Sequence, residues 1–349
     1  MSQPLLSICI NTRNRAVLLS ETLDSIITQI VEGVEIVVVD GASDDATPDI
    51  MHEYSSRYPY IKYVRSDKDI GIDDGYDLSV EHASGVYCWL MPDDDFIQSG
   101  ALEKIISNIN EDIELVIVNL ACFTKDMKFD LNQRLFKYDN DRVYVIDQFE
   151  EILKEFGFGL SYIGCIVIKR SLWFEHDRTP YYGTYFIHVG VICGSSEIKK
   201  VLFLNEPLIK YRSANSSWTA MSFEIWYFKW PDLIWSFKNI SIETKDIVAK
   251  RAPWQRALTL LKSRAMGEYS LPIFMKFLAK ENLSIQKIRN ILIALIPKAP
   301  LNLTMILLCL IFRREGLYTI YNLMTSSSVP KISQSLVNIF GVDFLENKR

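Results

Sequence analysis

The chain reads as an α/β protein, a mostly parallel sheet flanked by helices and followed by a mainly helical C-terminal region. Three observations predict this. Val34–Val39 is almost continuously apolar and β-branched, as a strand buried on both faces is. Strand-length apolar runs alternate with helix-spaced segments through the front of the chain, the pattern of a parallel sheet covered by helices. After residue 217 aromatics crowd together, from Trp218 through Phe223, Trp226, Tyr227, Phe228, Trp230 and Trp235 to Phe237, and helical periodicity takes over.

The elements follow in order. Leu5–Ile10 is a short apolar run, and Leu19, Leu23, Ile26, Ile27 and Ile30 are spaced for one face of a helix. Val34–Val39 is the second strand, and Tyr60–Val64, which alternates weakly, is the third. Val86–Met91 and Leu115–Leu120 are apolar and strand-length, with a helical stretch, Gly100–Ile109, between them. Ligands of such sheets gather at the carboxyl ends of the strands. Ile291–Phe312 is the most apolar stretch, interrupted by Pro297, Lys298, Pro300 and Asn302 and closed by Arg313 and Arg314. Neither half reaches the ~20 apolar residues of a spanning helix. Two helices in a membrane interface and a buried helical hairpin both fit.

Charge divides the chain at the same place as texture. Residues 1–216 hold 20 Lys and Arg against 34 Asp and Glu, and residues 217–349 hold 18 against 9. These two spans are the expected domains. An acidic front part suits a metal, and a basic rear part suits phosphates or an anionic membrane surface. Six cysteines, Cys9, Cys88, Cys122, Cys165, Cys193 and Cys309, are scattered without metal-ligand or redox spacing, so buried free thiols are expected. Met1–Arg15 has no basic leader followed by a long apolar stretch. The expected location is cytoplasmic, peripheral on the inner face of the cell membrane.

Acidic residues fall where the sheet places a site. Asp40 ends its strand and opens a run of small and acidic residues, Gly41-Ala42-Ser43-Asp44-Asp45. Its carboxylate either accepts hydrogen bonds from a nucleoside or belongs to a plain turn in which Ser43 or Asp44 caps the next helix. Asp67–Gly75 is rich in Asp but is not a calcium loop, because Gly71 and Leu78 stand at positions 5 and 12 of that count. Asp93-Asp94-Asp95 directly follows Val86–Met91. Three adjacent carboxylates repel one another unless a cation or a basic side chain compensates. Hard cations such as Mn²⁺ or Mg²⁺ take such oxygen ligands together with substrate phosphates.

In register, Asn11-Thr12-Arg13-Asn14-Arg15, Val38–Asp44, Asp69–Asp74 and Leu90–Asp95 resemble the motifs of family 2 glycosyltransferases, which have the GT-A fold. The resemblance covers roughly residues 5–215. Asp93–Asp95 with Tyr211–Trp218 looks like the branch that adds dideoxyhexoses such as abequose to bacterial O-antigen units. The resemblance implies transfer of a sugar from a nucleotide-diphosphate donor, dependent on Mn²⁺ or Mg²⁺ and inverting, to a glycan acceptor that is lipid-diphosphate-linked. It assigns Thr12, Arg15, Asp40, Asp69 and Asp74 to the nucleotide and Asp93 and Asp95 to the metal. Arg212, Asn215 and Trp218 would face the acceptor or the diphosphate. One departure stands out. The family carries a Glu-Asp pair, whose Asp is the base, near Ile187-His188 by spacing from Glu206-Pro207, and this chain has His188 there. His188 as base or metal ligand, with Asp94 as a second catalytic group, is the expectation, and Glu175 and Asp177 are substitutes.

Rival classes fare worse. No G-x-G-x-x-G or G-x-x-x-x-G-K-[ST] run occurs, which argues against dinucleotide oxidoreductases and P-loop enzymes, and no Gly-rich loop follows the first strand. An inactive membrane-associated scaffold that kept the fold is the alternative from another class. The intact acidic triplet argues against it.

Overall fold

A computed structural model of the chain describes residues 3–145, 147, 149–312 and 316–339. Arg313 and Arg314 lie outside the described residues. The chain forms two compact units. The first comprises residues 1–121, 134–211 and 233–249; the second comprises 122–133, 212–232 and 250–349. The change of sequence character at residue 217 therefore falls inside an interleaved region: segment 233–249 packs with the first unit.

The front of the chain builds β1 (Leu6–Thr12), α1 (Ala16–Ile27), β2 (Val34–Asp40), α2 (Thr47–Arg57), β3 (Ile61–Arg65), α3 (Gly71–His82), β4 (Tyr87–Met91), β5 (Phe96–Ile97) and α4 (Ala101–Asn108). β6 (Leu115–Phe123), β7 (Asp130–Arg134), β8 (Arg142–Val145), α5 (Phe149–Phe156), β9 (Ile166–Lys169), α6 (Arg170–Trp173), α7 (Ile187–Gly194) and β10 (Lys200–Arg212) follow. Eight strands lie in the order β3-β2-β1-β4-β9-β6-β10-β5. The pairs β1–β2, β1–β4 and β2–β3 are parallel. Beyond β4 the direction changes, because β9 is antiparallel to both β4 and β6, and β10 is antiparallel to β5 and β8. The parallel half is what the alternation of apolar runs and helices predicts; the antiparallel half has no α-helical crossover pattern to announce it.

Burial explains the strands. Ile8, Cys9 and Ile10 of β1, Ile36–Val39 of β2 and Cys88–Met91 of β4 are inaccessible to solvent. The one charged residue in the body of β2, Glu35, is satisfied by the Ser7 hydroxyl at 2.5 Å and the Ser84 amide at 2.5 Å. Register then fixes the top of the sheet. Thr12 lies opposite Asp40, and Ile10 lies opposite Met91. Residues two beyond Met91 therefore come level with Thr12, which is how three strand ends converge.

The second unit is helical in its C-terminal stretch. Phe223, Tyr227, Leu260, Tyr269, Phe274, Leu278, Ile293 and Ala294 form one apolar cluster. Ala265, Ile306, Cys309, Leu310, Ile320, Leu323 and Val337 form another. Helices Ile285–Leu295 and Lys298–Phe312 share the apolar stretch, and the two bend by 95° at Ile296–Pro297. Among the described residues no single helix is long and apolar enough to cross a membrane. All six cysteines are buried and none forms a disulfide.

Helix α3 approaches β1 so closely that a Cβ on Gly75 would stand 2.0 Å from the Asn11 side-chain oxygen. Gly75→Ala should therefore destabilise the protein by about 1–3 kcal/mol in urea titration. Asn11→Ala in the same chain should return much of the loss, and a plain sum of the two single effects would refute the contact.

Candidate active site

The converging ends of β1, β2 and β4 bring together Thr12, Arg15, Asp40, Asp93, Asp94 and, through its partner, Asp95. Thr12 Oγ1 donates to Asp93 Oδ2 at 2.7 Å. Arg15 reaches across with both terminal nitrogens, Nη1 to Asp93 Oδ1 at 3.1 Å and Nη2 to Asp94 Oδ2 at 2.7 Å. Tyr162, from the segment before β9, donates its hydroxyl to Asp95 Oδ2. Asp93 and Asp95 are buried. Burial pushes the Asp93 carboxyl up to about 7 against the pull of Arg15, with Asp94 adding to the rise and Thr12 opposing it. Burial lowers the Arg15 guanidinium, but Asp93, Asp94 and Asp95 outweigh it and hold the group above its ordinary value. The repulsion expected of three adjacent acids is thus met internally, by an arginine that a helix start places over them.

Asp40 is fully buried. Its Oδ1 accepts the Ser43 amide at 2.8 Å and its Oδ2 accepts the Tyr63 hydroxyl at 2.8 Å. Arg65 stands 3.9 Å from the same Oδ2 and donates to the Ser43 carbonyl at 2.7 Å. The carboxylate shapes the turn after β2, in which Ala42 takes a left-handed φ of 58°. Ser43 and Asp44 do not cap α2. Ser43 accepts the Asn14 amide and Asp44 donates its own amide to Asn14, each at 2.8 Å, so the turns after β1 and β2 lock together. Asp69 pairs with Arg13 at 2.7 Å at the exposed rim, and Asp74 is exposed on α3.

His188 also belongs to the first unit. It lies in the first turn of α7, buried, with Nε2 donating to the Leu160 carbonyl at 2.8 Å and Nδ1 without a hydrogen-bond partner. Burial lowers its pKa to about 4, partly offset by that carbonyl. Among the described residues no three His, Cys, Asp or Glu side chains come together in a group that could hold a metal ion. Asp93, Asp95 and His188 are not gathered into such a group, and the start of α7 sets the ring against the Leu160 carbonyl. The substitutes are also engaged locally, Glu175 with the Ser196 amide at 2.9 Å and Asp177 with the Thr179 amide at 2.9 Å. What the acidic triplet does fit is a hard cation that takes only one or two carboxylates from protein and the remaining ligands from a diphosphate and water.

Arg212, Asn215 and Trp218 belong to the second unit. Arg212 is buried and donates to the Lys125 carbonyl at 2.8 Å, and Trp218 packs edge-on against Trp226 at 6.1 Å between ring centroids. Tyr63, Arg65 and Tyr162, which touch the acidic groups directly, carried no motif in the sequence. Asp73 lies inside the Asp69–Asp74 motif but has no role of its own there. It is buried on α3 and accepts the amides of Tyr185 at 2.8 Å and Ile187 at 3.0 Å, thereby fixing the entry to α7.

Comparison with known proteins places this geometry. Residues 7–173 match the model of glycosyl transferase family 2. Abequosyltransferase RfbV of Salmonella typhimurium is 26% identical over 276 residues, which cover 72% of this chain and 81% of that protein. A PGL/p-HBAD biosynthesis glycosyltransferase of Mycobacterium bovis is 33% identical over 144 residues, and the match spans 56% of its length. The crystal structure of S. aureus TarS 1-349 in complex with UDP superposes with a TM-score of 0.55 at 14% identity over 78% of each chain. The chain has a GT-A-like glycosyltransferase fold with a helical C-terminal region.

Asp73 gives this part of the molecule a pH dependence. Burial raises its carboxyl to about 6, against the amides of Tyr185, Ile187 and Gly183. A carboxyl raised above its ordinary value in the fold stabilises most below about pH 4 and loses that contribution as pH rises through about 6. The integral is on the order of 2–3 kcal/mol. The melting temperature of the wild type should fall between pH 4.5 and 6.5 more steeply than that of Asp73→Asn, as followed by circular dichroism; parallel curves would refute the assignment.

Proposed function

We infer that this chain, whose front part carries the family 2 glycosyltransferase fold, moves a sugar from a nucleotide-diphosphate donor to a glycan acceptor with the aid of Mn²⁺ or Mg²⁺. One observation carries the reading: an acidic triplet at the carboxyl end of the central strand β4, with Asp93 and Asp95 buried, held by Thr12 from β1 and by Arg15. Ligand sites of open α/β sheets lie at this end of the strands. Similarity to an abequosyltransferase extends over most of the chain and favours a dideoxyhexose, among hexosyl donors, and a bacterial surface polysaccharide such as O-antigen as product.

The roles follow from the residues. Asp93 and Asp95 would hold the cation, which when bound withdraws charge from the departing diphosphate. Thr12 and Tyr162 orient the two carboxylates by donating to one oxygen of each. Arg15 balances Asp93 and Asp94 and provides a positive charge that never titrates for the diphosphate. Asp40 supports the nucleoside through the turn it builds, with Tyr63 and Arg65 beside it, and the exposed Asp69 and Asp74 are assigned to the nucleotide. Arg212, Asn215 and Trp218 are assigned to the acceptor or the diphosphate. The reaction is read as inverting, a single displacement at the sugar carbon by the acceptor hydroxyl. The basic sequence after residue 217 is read as a membrane-facing part, and the acceptor as lipid-linked.

His188 enters this reading as a packing residue. A ring with its pKa at about 4 is neutral across the working range, and its one bonded nitrogen is committed to Leu160. His188→Gln keeps a donor for that carbonyl and should retain transfer within severalfold of wild type. A loss of a hundredfold or more with unchanged melting would return the ring to the catalytic machinery.

The metal claim is tested directly. Asp95→Asn should lose most transfer, on the order of a hundredfold or more, while melting like the wild type. Calorimetry should show Mn²⁺ binding that strengthens when nucleoside diphosphate is present, and weakens in the variant. Full turnover in excess chelator, with metal removal verified, would overturn the reading.

A further inference from the structure

Helix Ile285–Leu295 buries one side and leaves the other apolar. Asn290, Ile293 and Ala294 face inward, the last two within the cluster of Phe223, Tyr227 and Tyr269. On the opposite side Ile285 is 87% exposed, Ile288 49%, Leu292 60% and Leu295 56%. Spacings of three, four and three residues place all four within roughly 80° of the helix circumference. Leu283, just before the helix, is 82% exposed. Contiguous apolar surface of this kind marks an interaction site.

Charge identifies the partner. Residues 250–312 hold ten Lys and Arg against two Asp and Glu. Two of the basic groups lie on this helix and bond neutral acceptors, which leaves their charge in place. Lys287 donates to the Ala279 and Glu281 carbonyls at 2.5 and 2.6 Å, and Arg289 to the Asn290 side chain at 2.9 Å. An apolar stripe in strongly basic surroundings complements an anionic lipid surface. Geometry excludes a span by this helix alone, because eleven residues rise only about 16 Å against a hydrocarbon core of about 30 Å. The following helix turns away by 95°.

We infer that helix Ile285–Leu295 docks on an anionic membrane, lying in its plane with Ile285, Ile288, Leu292 and Leu295 among the acyl chains and the surrounding lysines and arginines at the headgroups. The inference deepens the reading of a lipid-linked acceptor by naming the surface that meets the lipid. It also relocates the contact from the Ile291–Phe312 stretch as a whole, since Ile306, Cys309 and Leu310 are buried in the unit's own core.

Full-length protein is sedimented with vesicles of phosphatidylcholine alone and of phosphatidylcholine with phosphatidylglycerol, beside the variants Ile288→Glu/Leu292→Glu and Ile285→Glu. Wild type should pellet with the anionic vesicles at least tenfold more tightly than with the neutral ones. The double variant should lose tenfold or more, and Ile285→Glu should lose part of that, with unchanged circular dichroism, melting and donor hydrolysis. The more exposed single site serves if the double variant fails to fold. Equal pelleting of wild type and variants overturns the inference, and so does wild type that stays in the supernatant at low salt. A wild-type dimer in solution that the variants dissociate would make the stripe a self-association surface instead. Vesicle binding without any donor hydrolysis would refute the enzymatic reading and leave the docking surface standing.

Discussion

The ion pairs of Arg15 with Asp93 and Asp94 are the interaction on which the candidate site depends. Three consecutive carboxylates at the end of a buried strand are electrostatically untenable without a partner, and the cost rises as water is withdrawn. Arg15 answers with a charge that does not titrate, and Thr12 and Tyr162 take up one further oxygen each on Asp93 and Asp95. Because these donors come from β1 and from the segment before β9, the triplet is held only when the central sheet is assembled. A cation entering with a diphosphate would relieve the same repulsion, so Arg15 and the ion have overlapping electrostatic tasks.

A second constraint acts one strand over. Asp40 lies opposite Thr12 in the β1–β2 register and spends both carboxylate oxygens inside the protein, on the Ser43 amide and the Tyr63 hydroxyl. Its influence on a ligand is therefore exerted through the turn it shapes. The left-handed conformations of Asn14 and Ala42 are tolerated because Ser43, Asp44 and Asn14 bond across the two turns. Strand ends, and not loops standing alone, carry the polar groups, and that arrangement gives the site its precision.

The helical C-terminal stretch obeys different economics. Its helices bury one face in aromatic clusters, with Phe223 stacked on Tyr227 and Tyr269. Helix Ile285–Leu295 keeps large aliphatic side chains on its other face although burial of each would be favourable by about 1.5–3 kcal/mol. In strongly basic surroundings that exposed stripe suits a partner that is both apolar and anionic.

Much of this was legible in the residues themselves. Apolar runs with period two or continuous burial located β1 to β4 and β6, because a strand's environment is written into its own side chains. Asp40 and Asp93–Asp95 stood out because acids adjoining buried strands need a reason. Tertiary structure alone decided the rest. The antiparallel order of β9, β6 and β10 depends on pairing between distant segments, which leaves no local period. Tyr63, Arg65 and Tyr162 reach their carboxylates only after strands far apart in sequence come into register. His188 occupied a suggestive position by spacing, but a helix start points its ring by packing, and packing turned it toward the Leu160 carbonyl. Composition specifies which groups are present and sequence pattern which faces are buried; the direction in which a polar side chain finally points is set by the neighbours it meets, and those neighbours exist only in the folded chain.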